Sequence, residues 1–68
     1  MNEEEIRKLF VCKELSNALE SIRRKKHMLN VMRNNRLIVG EDYMELFEKL
    51  DNVEKSLVEK LKRYKCKP

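Results

Sequence analysis

The sequence predicts an all-α protein, an antiparallel helical hairpin of two long amphipathic helices that dimerises into a four-helix bundle. Three observations carry that expectation. Charged residues make up 41% of the 68 residues and aromatics only 6%, with no Thr, Gln or Trp, a mixture that belongs to long helices rather than sheets. Apolar residues recur at steps of three and four along two separate stretches. The single Gly and single Pro fall at Gly40, between those stretches, and at Pro68.

The first helix is expected over about 3–38. Asn2 is a good N-cap, because its side chain accepts from a free backbone amide. Glu3, Glu4 and Glu5 then sit at the positive end of the helix dipole. Leu15, Ala18, Leu19, Ile22, Leu29 and Met32 form its apolar stripe, which Lys25 and Lys26 interrupt. Asn17 with Glu20 has capping-box spacing and would permit a break there. Without a helix breaker, a continuous helix is the preferred reading.

The turn is expected over about 39–42, with Gly40 taking the left-handed conformation that it alone adopts without strain. Asp42 with Glu45 has capping-box spacing and starts the second helix, expected over about 43–65. Tyr43, Leu46, Phe47, Leu50, Val53, Leu57, Leu61 and Tyr64 form one stripe along it. Residues 1–68 thus read as a single domain.

A chain that reverses near Val39 and Gly40 sets Leu15 against Tyr64, Ile22 against Leu57, and Leu29 against Leu50. Those six residues are the expected core. The same register places Lys25 and Lys26 opposite Val53 and Glu54, and Arg33 near Glu45. It also brings Cys12 level with Cys66 at the open end. A disulfide there would close a loop worth about 4 kcal/mol of chain entropy. Two separate thiols in a reducing cytoplasm are the alternative.

Arg23, Arg24, Lys25 and Lys26, extended by Arg33 and Arg36, form a basic tract that could grip nucleic-acid phosphates. Opposing acids offer a second account. Residues 20–36 hold six bases and one acid, while residues 41–59 hold seven acids and two lysines. That balance favours charge pairing within the molecule or its dimer.

Catalysis has little foothold. The one histidine, His27, lies about 22 Å along the helix from Cys12. No CxxC or HxxxH pair offers zinc a site. No Gly-rich phosphate loop is present either. No enzyme activity, metal or cofactor is expected. The pentapeptide Phe47-Glu48-Lys49-Leu50-Asp51 resembles the Ser-Gln-Glu-Leu-Asp signature of the small sporulation aspartyl-phosphate phosphatases at Leu50 and Asp51 alone. Those proteins are also helical hairpins of about this length. The Ser and Gln of the signature are absent here, and two matching residues do not establish membership.

Ile6, Leu9 and Phe10 should project beyond the end of the second helix, and Leu37, Ile38 and Val39 should crowd the turn. Exposed apolar groups of this kind mark an interface. In a head-to-tail dimer the overhang of one subunit lies over the turn of the other, so these six residues are the expected dimer contacts. The expected function is a small non-enzymatic protein–protein interaction module, a dimeric adaptor or regulator with a further protein partner. Nucleic-acid binding is the alternative. No apolar run is long enough to span a membrane and no signal peptide is recognisable, so the expected location is cytoplasmic.

Overall fold

The computed structural model describes residues 2–67. It is an antiparallel hairpin of two helices, α1 (Glu3–Asn34) and α2 (Gly40–Arg63). The hairpin measures 51 × 16 × 15 Å.

α1 starts as its sequence dictates. Asn2 is extended, and its side-chain oxygen accepts from the Glu5 amide at 2.8 Å. The helix then runs unbroken through Ser16 and Asn17, so the capping-box spacing there goes unused. It ends four residues earlier than expected. Asn35 is the C-cap and Arg36 is left-handed at φ 57°. The Arg36 amide donates to the Arg33 carbonyl at 3.1 Å and the Leu37 amide to Met32 at 2.8 Å. This pair of bonds is a Schellman motif, which satisfies carbonyls that the helix end would otherwise orphan.

The expected turn is therefore corrected. The chain reverses over residues 35–39, and Gly40 is the first residue of α2, without a positive φ. Val39 is the N-cap and offers no side-chain bond, so the Asp42–Glu45 capping box does not form. Glu41 and Asp42 instead occupy the first turn of α2, where their charge meets the positive end of the dipole.

α2 ends as α1 does. Lys65 is left-handed at φ 55°, with its amide bonded to the Lys62 carbonyl and the Cys66 amide bonded to Leu61. This second Schellman turn brings Cys66 back against α1. Cys12 and Cys66 stand at disulfide distance, with Cα atoms 5.6 Å apart. α1 continues for about nine residues beyond that point, and this overhang has no α2 opposite it.

The core is thinner than the register suggested. Leu19, Leu29 and Tyr43 are its buried residues, and among the described residues no large side chain is fully buried. Leu15, Ile22, Leu50 and Leu57 are half-buried. Tyr64 is corrected outright: it is the α2 C-cap and is 47% exposed. Two helices touch along one line, so each residue on that line is covered from one direction only.

Candidate interaction site

The hairpin has two unlike faces. One is sealed by charge. Lys26, at the break in the α1 stripe, is half-buried between the helices. Its Nζ donates to Glu54 Oε1 at 2.7 Å and to Asp51 Oδ1 at 3.0 Å. Arg23 Nε reaches the other Glu54 oxygen at 2.9 Å, and Lys55 pairs with Asp51 at 3.1 Å. The hydrogen bonds from Lys26, then Arg23, hold Glu54 below the ordinary carboxylate range. Those from Lys26, then Lys55, do the same for Asp51. Bonding to Glu54 and Asp51 raises the Lys26 ammonium in turn. Five charges therefore close this side of the seam.

Aromatic rings continue the seal towards the turn. Lys26 Nζ lies 4.7 Å from the centre of the Phe47 ring, which stacks on Tyr43 at 5.5 Å. Arg33 covers the Tyr43 ring at 5.0 Å. Arg33 thus meets an aromatic face rather than Glu45, which pairs with Lys49 on its own helix. The Tyr43 hydroxyl donates to Asn30 Oδ1 at 2.5 Å, so this buried ring keeps its polar end satisfied.

The opposite face is apolar and open. A shallow groove between the helices is lined by Met28, Leu29, Met32, Leu46 and Leu50, with Arg24, Lys25 and Lys49 as its charged members. Met28 is 55% exposed, and Leu46 and Val53 are each 44% exposed. Leu46 and Val53 belong to the expected α2 stripe, though not to the six residues of the expected core. They lie on the hairpin's uncovered edge because the α2 stripe is wider than one helix can cover. Met28 was outside the expected stripe altogether. The signal for it was its four-residue spacing to Met32, which places both on one edge.

The six expected dimer residues lie at the two ends. Ile6, Leu9, Phe10, Leu37 and Val39 are more than half exposed, and Ile38 is half-buried. Of the basic residues considered for nucleic acid, Arg23 and Lys26 are engaged by carboxylates and Arg33 by Tyr43. Arg36 is the left-handed turn residue. Arg24 and Lys25 are exposed and flank the apolar groove.

Among the described residues no group of three His, Cys, Asp or Glu side chains is placed to hold a metal ion. Among the described residues no helix is long and apolar enough to cross a membrane. Fold and surface define the class: a two-helix hairpin with one ion-paired face and one open apolar face. No protein-family model, curated protein or solved structure matches this chain.

Proposed function

We propose that this chain is a non-enzymatic protein–protein interaction module, an adaptor or regulator that works as a homodimeric four-helix bundle. One observation carries the reading. The hairpin exposes 5928 Å², whereas a compact monomer of 8.3 kDa exposes roughly 4,600 Å². The excess, on the order of 1,300 Å², is surface a folded chain of this size normally covers. Paired hairpins cover such surface by forming bundles. The ion-paired face and the outer helix surfaces then remain available to a further protein.

Light scattering across a concentration series tests the proposal. The expected mass is two chains at micromolar concentration. Leu46→Asp with Val53→Asp on the open face should give monomers, as should Phe10→Asp with Ile38→Asp at the ends. A mass of one chain at high concentration, with helicity retained, would reject the dimer.

Nucleic-acid binding is a second reading, supported by Arg24, Lys25 and Arg36. All three are exposed, and no ion pair engages them among the described residues. Binding to mixed duplex DNA should then weaken by about one logarithmic slope unit per phosphate contact as salt rises. No binding at low salt would remove it.

A further inference from the structure

We infer that the Cys12–Cys66 bond is a redox site addressed by small anionic thiols, which bind beside Cys66 and open the bond there. The inference concerns the open end of the hairpin and is independent of the dimer reading above.

A cleft of about 600 Å³ lies at that end, on the ion-paired side of the seam, and its volume is in the range of small-ligand sites. Leu19 of α1 and Leu61 and Val58 of α2 give it an apolar lining, and of the two bonded cysteines it is Cys66 that lines it. The turn that ends α2 holds Cys66 in this place, its amide donating to the Leu61 carbonyl at 2.9 Å.

The charge around Cys66 is positive. Among the described residues the charged members of the cleft are Arg23, Lys62 and Lys67 against Glu20. Arg23 is engaged by Glu54, whereas Lys62 and Lys67 are exposed. Lys62, Arg63, Lys65 and Lys67 all fall within four residues of Cys66 along the chain. Neighbouring cations favour a thiolate over its thiol, and the thiolate is the species that attacks a disulfide. A small thiol that also carries carboxylates can pair these with Lys62 and Lys67 while its sulfur reaches Cys66.

The chemistry is thiol–disulfide exchange. The incoming thiolate attacks Cys66 Sγ and forms a new S–S bond as the Cys12–Cys66 bond breaks. Cys12 leaves as a thiolate and takes a proton from water. A second thiolate attacks the sulfur of the bound thiol, releasing a small symmetric disulfide and leaving Cys66 reduced, so two thiols supply the two electrons. Leu19, Leu29 and Tyr43 are the buried core of the described residues, and a core this thin leans on the cross-link. The concentration of anionic thiol then sets how firmly the open end is closed.

The oxidised full chain tests this with glutathione as the anionic thiol, 2-mercaptoethanol as the neutral one and cysteamine as the cationic one. Mixed disulfides are trapped in acid and located by peptide mass spectrometry. Each rate is expressed per thiolate and divided by that of the same thiol on a small neutral disulfide. Glutathione should then exceed 2-mercaptoethanol by about fivefold, the effect of one extra charge about 4 Å from a cation in water, with cysteamine slower again and the adduct on Cys66. Lys62→Glu with Lys67→Glu should abolish or reverse this order. Lys25→Glu with Lys49→Glu, which removes as much charge from the other groove, should retain it. All four positions are exposed, so circular dichroism should show unchanged helicity in both variants. The order of rates and the site of the adduct in the parent chain remain decisive even where a variant misfolds. An adduct on Cys12, rates blind to thiol charge, equal losses in the two variants, or a chain that forms no Cys12–Cys66 bond would overturn the inference.

Discussion

Lys26 of α1 and Glu54 of α2 meet at 2.7 Å across the seam of the hairpin, and Asp51 completes the pairing from the other side. A lysine that interrupts an apolar stripe is therefore not a gap in the packing. Its stem crosses the seam while its ammonium joins two carboxylates. The polar side of the molecule is built around that residue.

Stability should depend on pH in the way these pairs require. Glu54 and Asp51 titrate below their ordinary values of 4.5 and 3.8, so their contribution is complete above that range and is lost as pH falls through the depressed values. Lys26 titrates above 10.5, so its contribution is complete below that value and disappears as pH rises past it. Thermal melting should be flat from about pH 5 to pH 10 and fall on both sides. In Lys26→Met the acid-side fall should be shallower, because the largest cause of both carboxylate shifts has gone. An acid limb as steep as the parent's would contradict the pairing.

The turn makes opposite predictions for neighbouring residues. Gly40→Ala should be neutral or should stabilise by about 0.4–1 kcal/mol, since Gly40 is helical and a Cβ there meets nothing within 4 Å. Arg36→Gly should stabilise by about 0.5–1 kcal/mol, because a non-glycine residue in the left-handed region is strained. Denaturant titration of the two variants measures both. A loss with Gly40→Ala would return the left-handed turn to Gly40.

Reduction of the Cys12–Cys66 pair should lower stability by about 4 kcal/mol on the chain-entropy argument, given a sequence separation of 54 residues. The check is the shift in denaturant midpoint on adding a phosphine reductant. Cys12→Ser with Cys66→Ser should give the same shift and no further response to reductant.

Packing predicts unequal costs for two leucine truncations. Leu29 is 7% exposed and lies within the hairpin, so Leu29→Ala should cost about 2–4 kcal/mol at any protein concentration. Leu46 lies on the open edge, so under the dimer proposed above the effect of Leu46→Ala should grow with protein concentration. Equal, concentration-independent losses would place Leu46 inside the hairpin.

The sequence by itself determined the two helices, their antiparallel pairing, the cap at Asn2 and the approach of Cys12 to Cys66. Each follows from local periodicity, a capping side chain, or the arithmetic of one reversal, and all are properties of the chain read along its length. The turn was legible only in outline. Gly40 drew the left-handed position by propensity, but hydrogen bonding of the last α1 carbonyls to Arg36 and Leu37 closed that helix sooner. Tertiary structure alone decided which part of each stripe is covered. Periodicity places Leu46, Leu50, Val53 and Tyr64 on one side of α2, yet a single neighbouring helix spans only part of that width. Leu50 is half-buried while Leu46, Val53 and Tyr64 are left open. The direction in which Lys26 leans to reach Asp51 and Glu54 sets the polar face, and so which face remains apolar.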